Sequence, residues 1–172
     1  ERGRVNGVKE SSEGRQLIVL SLGAGEVFWG LAFFKEGAGT PVTMIAPEAS
    51  RLYLWHRNVL VPLLLGNGPA LWSLTQLMIT RMQQVSEIVE GLAFQPVAAR
   101  LAGLILKQFG QAGDTSVERS LTLDEMAAMV GSTREMVCRI LYRFADESLI
   151  EVTRTEFKLT DEAGLAELAN QV

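Results

Sequence analysis

Residues 121–152 read LTLDEMAAMVGSTREMVCRILYRFADESLIEV, and this stretch restricts the fold more than any other part of the chain. Thr122 is a good N-cap, and Glu125 three residues later completes a capping box. The helix begun there, 123–130, ends at Gly131, the glycine of a tight turn. Ser132 or Thr133 caps a second helix that runs to residue 147. Two helices joined by a short glycine-containing turn make a helix-turn-helix.

The second helix has two unlike faces. Stepped at about 100° per residue, Met136, Val137, Ile140, Leu141 and Phe144 fall on one arc. Arg134, Glu135, Cys138, Arg139 and Tyr142 fall on the opposite arc. One face is core; the other presents two arginines and a glutamate near the N-terminal end. A recognition helix reads base edges from that end. Arginine fits the O6/N7 edge of guanine, and glutamate accepts from cytosine N4. Thr122, Ser132, Thr133 and Cys138 stand beside them as candidate DNA contacts. Further on, 150–153 and 157–159 flank an Arg154-Thr155-Glu156 turn, as in a wing hairpin, and 161–169 forms a closing helix. Surface arginines alone decide nothing. Here the capping, the turn glycine, the divided helix and the hairpin agree.

The preceding chain falls into three pieces. Residues 1–56 turn often and read as β structure, with strands at 5–9, 17–22, 42–46 and 51–55. Residues 58–68 form a short apolar piece broken by Pro62. Pro69 suits the first turn of a helix that runs to 92. Leu71, Leu74, Met78, Val85, Ile88 and Leu92 form its stripe, with Arg81 at the one position that breaks the pattern. A stripe of this length pairs with a second copy or lies on its own domain. Trp72, Leu77 and Ile79 sit off the stripe and are expected to lie on the β domain. Pro96 opens a helix to 109, and 110–120 reads as a polar loop.

Composition narrows the chemistry. Hydrophobic residues make up 48% and charged residues 21%, as in a folded domain. The longest apolar runs, 17–20 and 59–65, are too short to span a bilayer, and no leader peptide is visible. One cysteine, Cys138, permits no internal disulfide and no four-thiolate metal site. One histidine, His56, argues against a Ser–His–Asp centre. The carboxylates Asp124, Glu125, Asp146 and Glu147 sit at helix ends, where capping and dipole effects explain them. No enzyme is expected, no cofactor or metal, and the location is read as cytoplasmic. The net charge is −4, so a nucleic-acid site must be a local patch.

The run from Thr122-Leu123-Asp124-Glu125-Met126-Ala127 through Val130-Gly131-Ser132-Thr133-Arg134-Glu135 to Arg139-Ile140-Leu141 resembles the winged helix of the Crp/Fnr family of bacterial transcription regulators. Glu90-Gly91-Leu92-Ala93-Phe94 is similar to the hinge after that family's dimer helix. Gly25-Glu26-Val27-Phe28 and Phe33-Phe34 are similar to the end of its β-roll sensor domain. The resemblance implies an α+β chain in three parts. These are a partial β-roll (cupin/jelly-roll-like) sensor domain over 1–68, a dimerisation helix and hinge over 69–94, and a winged helix-turn-helix over 95–172. Family members begin with further strands, so the chain is expected to be a fragment or a shortened member. By resemblance, Arg134, Glu135 and Arg139 match the base-reading positions of members that read a TGTGA half-site. The loop 108–120 matches one that touches RNA polymerase in activators.

The family's cyclic-AMP binders carry Gly-Glu and Arg-Ser pairs where this chain has Trp29-Gly30 and Thr40-Pro41. Between Arg15 and Arg51 the only cation is Lys35, and a buried cyclic phosphate needs a charge partner. On the dimer helix Val85 replaces an adenine-contacting Thr, while Ser86 is retained. Control by cyclic AMP is not expected. Iron–sulfur sensing needs several cysteines, and His56 reads as structural rather than as a haem ligand. Cys138 needs no special role on its helix. Trp29, Phe28, Phe33 and Phe34 read as core in preference to a ligand pocket, and a small-molecule effector is unknown or absent. The expected function is a homodimeric activator-type regulator on double-stranded DNA, at a palindrome resembling TGTGA-N6-TCACA, without membrane contact. The alternative is a ligand-binding or protein-interaction module whose helix-turn-helix only packs.

Overall fold

The computed structural model describes residues 2–28, 31–110, 116–118, 120–153 and 156–171, and side chains throughout these except at 31, 32, 117 and 118. The chain divides into two compact units, Glu1–Lys9 with Val19–Ile88, and Glu10–Ile18 with Val89–Val172.

The N-terminal part carries β1 (Val5–Glu10), β2 (Gln16–Leu22) and β3 (Thr43–Ile45) in an open sheet of order β2-β1-β3. β1 runs antiparallel to β3, with Asn6 opposite Ile45 and Val8 opposite Thr43. At Gly7 a Cβ would lie 3.2 Å from the Leu20 Cβ, so a side chain there would require Leu20 to give by a few tenths of an ångström. Buried Asn6 is satisfied: its Oδ1 accepts from the Ser21 hydroxyl at 2.9 Å. The strand expected at 51–55 is not formed. Arg51 makes one bridge to Arg2, and Leu54 is 91% exposed. Ser50 turns its hydroxyl onto the Arg4 and Glu48 carbonyls, and no described strand lies beside Leu52–Trp55 to receive a ladder.

Two helices replace segments that read as irregular. α1 spans Leu31–Phe34, and α2 spans Arg57–Leu65 with Pro62 inside it. His56 caps α2, its Nδ1 accepting from the Asn58 N–H at 3.3 Å. Pro62 is tolerated because α2 has no buried residue, so water can satisfy the carbonyl that the missing N–H leaves free. α3 follows as Gly68–Phe94, with Asn67 accepting from the Ala70 N–H at its start. Of its 27 residues only Gly91 is buried. Trp72 is 66% exposed and Ile79 49% exposed, so neither lies on the β domain as expected; Leu77 is half-buried.

The C-terminal part is α4 (Val97–Phe109), β4 (Val117–Glu118), α5 (Leu123–Val130), α6 (Arg134–Asp146), β5 (Ile150–Val152), β6 (Glu156–Leu159) and α7 (Glu162–Ala169). Its core joins Leu101, Ile105, Met126, Val137, Phe144 and Phe157, all under 2% exposed. α4 packs on α7 and α5, and its Phe109 ring lies 5.0 Å from that of Phe157. The sheet has the order β4-β6-β5, antiparallel throughout. β4 lies within the stretch read as a loop: Val117 pairs with Phe157 and Glu118 with Glu156. Arg154 and Thr155 of the expected wing turn lie outside the described residues.

Candidate nucleic-acid interface

The helix-turn-helix is built by local chemistry. The Thr122 hydroxyl accepts from the Glu125 N–H at 3.2 Å, and the Glu125 carboxylate accepts from the Thr122 N–H at 2.9 Å. That reciprocal pair satisfies donors that the first turn of α5 would otherwise leave open. Gly131 ends α5 in the left-handed region, φ 63° and ψ 48°, its N–H donating to the Ala127 carbonyl. A Cβ there would come within 2.5 Å of the Leu92 Cδ2, which would have to move aside, and the left-handed backbone itself disfavours any residue but glycine. Of the two candidate caps for α6, Thr133 is the one used: its hydroxyl accepts from the Met136 N–H at 3.3 Å. Ser132 is half-buried in the turn and donates its backbone N–H to Ala127 at 2.9 Å.

α6 is divided as its sequence implies. Val137, Ile140, Leu141 and Phe144 are buried, and Met136 is half-buried. Arg134, Glu135, Arg139 and Tyr142 are exposed, with Cys138 half-buried among them. A shallow depression on this face is lined by Glu135, Cys138, Arg139, Tyr142, Arg143 and Asp146. Arg134 is held at the start of the face by Asp124 of α5, Nη1 to Oδ2 at 2.7 Å. Arg139 lies against the Met136 sulfur. The Glu135 carboxyl is held below its ordinary pKa, first by its own backbone N–H, then by the Thr133 hydroxyl and the charge of Arg134. It is therefore an ionised acceptor at neutral pH. Arginine donors and one carboxylate acceptor thus share a single exposed surface in the N-terminal half of α6, the residue types that can pair with guanine and cytosine edges.

The stripe of α3 is placed as follows. Leu71, Met78, Val85 and Leu92 are exposed, and Leu74 and Ile88 half-buried. Arg81 is engaged within the protomer, donating to Glu26 at 2.7 Å and to Gln84 at 2.9 Å. Sequence reasoning missed Arg100 of α4. Its guanidinium donates to the Val130 carbonyl at 2.8 Å, and to those of Gly91 and Gln95. One side chain thereby ties the end of α5 to the hinge after α3. Nothing local marks it, since its partners lie in two other segments. Burial lowers its pKa.

His56 serves as a helix cap, as a structural reading of it requires. Among the described residues no cluster of His, Cys, Asp and Glu could hold a metal ion, and no helix is long and apolar enough to cross a membrane. Trp29 and Gly30 lie outside the described residues.

A Crp-like helix-turn-helix domain is recognised over residues 99–168. The chain is 31% identical over 159 residues to the cAMP-activated global transcriptional regulator CRP of Haemophilus influenzae, covering 87% of this chain and 68% of that one. The regulator of the same description in Salmonella typhimurium is 29% identical over 153 residues, with 87% and 73% covered. Among solved structures, a transcriptional regulator of the Crp/Fnr family from Eubacterium rectale superposes with a TM-score of 0.80 at 21% identity, over 99% of this chain and 78% of that one. The c-di-GMP-responsive global regulator CLP of Xanthomonas campestris gives 0.75 at 21% identity, over 92% and 81%.

Proposed function

Because the chain belongs to the Crp/Fnr family of DNA-binding transcription regulators, a family that is not enzymatic, we propose that it acts as a homodimer on a palindrome resembling TGTGA-N6-TCACA. The observation that carries this reading is the exposed face of α6, where Arg134, Glu135 and Arg139 stand together. Arg134 and Arg139 pair with guanine O6/N7 edges, and Glu135 with cytosine N4. Thr122, Ser132, Thr133 and Cys138 flank the bases and the phosphates beside them. Two copies pair through Leu71, Leu74, Met78, Arg81, Val85, Ile88 and Leu92, and set two recognition helices about 34 Å apart in successive major grooves. The working division is 1–68 for sensing, 69–94 for dimerisation and hinge, and 95–172 for DNA. The loop at 108–120 meets RNA polymerase, and the protein works in the cytoplasm.

Control is by something other than cyclic AMP. Relatives are described as cAMP-activated, but this chain has Thr40-Pro41 where the phosphate-binding Arg-Ser pair belongs. Its Arg81 is already neutralised by Glu26. Selection of bound duplexes from a random library tests the reading. It should return the TGTGA-N6-TCACA pattern with or without cyclic AMP. Recovery of an unrelated or non-palindromic consensus would overturn the assigned base contacts.

A further inference from the structure

The outer face of α6 carries one large side chain that the assigned base contacts leave unused. Tyr142 is 69% exposed. Among the described side chains of 97–171 it is the one large apolar group left at the surface. Stepped from Arg134 at about 100° per residue, Tyr142 falls at about 80°, between Arg134 and Arg139 at about 140°. It follows Glu135 by two turns, about 10 Å along the axis. Glu135, Cys138, Arg139 and Tyr142 share the wall of one shallow depression. Beyond Tyr142 the surface turns acidic. Asp146, one turn on, lines the same depression, and the Arg143 Nε already lies 3.8 Å from the Glu147 carboxylate. A phosphate brought to the Tyr142 hydroxyl would meet the charge of Asp146, whereas an apolar group brought to the ring would not.

We propose that the Tyr142 ring packs on the 5-methyl group of a thymine in each half-site, and so reads a base that the two arginines and Glu135 do not. The major groove presents that methyl as the apolar mark of thymine, and an aromatic ring is among the groups that meet it. Residues three apart on a helix surface have Cβ atoms about 5–6 Å apart, and base pairs stack about 3.4 Å apart. The thymine therefore lies within about two base pairs of the guanine that Arg139 faces. The inference rests on the regulator reading above and adds to its face a contact made by apolarity rather than by charge.

The test uses the 172-residue protein and the TGTGA-N6-TCACA duplex. Each thymine of the half-site is replaced in turn, symmetrically, by deoxyuridine, which lacks only the methyl. At one position the replacement should weaken binding by about fourfold for each half-site engaged. Tyr142→Phe keeps the ring and should keep that penalty. Tyr142→Ala should bind the thymine and deoxyuridine duplexes equally, and should melt with the parent protein because the ring is exposed. The four combinations of ring and methyl form a cycle that a purely structural role of Tyr142 would not move. Palindrome-specific binding with no deoxyuridine penalty at any thymine would overturn the role of Tyr142 and leave the regulator reading intact. A penalty that persists in Tyr142→Ala would assign the methyl to another side chain and overturn the proposal. A loss in Tyr142→Phe that is equal on every duplex would make the hydroxyl a phosphate contact and overturn base reading by the ring. Binding of the palindrome no tighter than of a scrambled duplex would overturn the regulator reading itself, and the inference with it.

Discussion

At the residue scale, the proposed specificity is a matter of which donors stand exposed on α6. Arg139 is exposed and lies against the Met136 sulfur, and on the proposed reading its fork pairs with a guanine edge. Arg139→Ala should cost about 1–3 kcal/mol at one guanine and relax the preference there. Competition titrations with single-base substitutions read this directly, and an unchanged preference would remove Arg139 from the base-reading set. Arg134 differs, since Asp124 holds it in the protomer at 2.7 Å, with both side chains more than half exposed. A pair so exposed is weak enough to yield to a base or a phosphate. Glu26 carries a pH signature. The Gly23 N–H first, and then Arg81, holds its carboxyl below the ordinary value, so its folded-state pKa is depressed. Its contribution is fully present above the unfolded carboxylate value of about 4.3 and is lost as pH falls through the folded pKa. Denaturant unfolding at neutral and acid pH should therefore show a smaller acid-side loss for Glu26→Gln than for the parent protein. Equal losses would show that the pair contributes nothing.

At the element scale, the turn between α5 and α6 depends on one residue. Gly131 has φ 63°, and an added Cβ meets Leu92. Gly131→Ala should cost about 1–2 kcal/mol from the left-handed backbone and should lower the melting temperature. What could be read from sequence divides along the same line. The capping box, the turn glycine and the split face of α6 depend on residues three or four positions apart, and local rules reach them. Thr133 rather than Ser132 is the cap, a choice that needed the backbone angles. β4 was hidden because it exists only through its pairing with β6, distant in the chain. α2 was hidden because Pro62 signals a break, whereas the exposed setting of the helix tolerates it. The strand expected at 51–55 had the right residue types and no partner. Arg100 was invisible for a similar reason, since its carbonyl partners belong to other elements.

At the scale of the whole molecule, the proposed dimer requires the exposed stripe of α3 and the face of α6 to work together. Leu71 is 40% exposed in the protomer, so the fold of one copy depends little on it. Leu71→Asp should leave melting of the protomer nearly unchanged while shifting sedimentation from dimer to monomer. With one half-site engaged at a time, palindrome affinity should fall by about a hundredfold or more. A dimeric Leu71→Asp protein would place the seam elsewhere. Because the chain is acidic overall, −4, the proposed DNA contacts require a local basic cluster, and binding should weaken as salt rises. The most direct measurement is fluorescence anisotropy of a TGTGA-N6-TCACA duplex and a scrambled duplex at two salt concentrations. The account predicts tight, salt-dependent binding to the palindrome and much weaker binding to the scrambled duplex. Equal affinity for the two duplexes under every condition would contradict it.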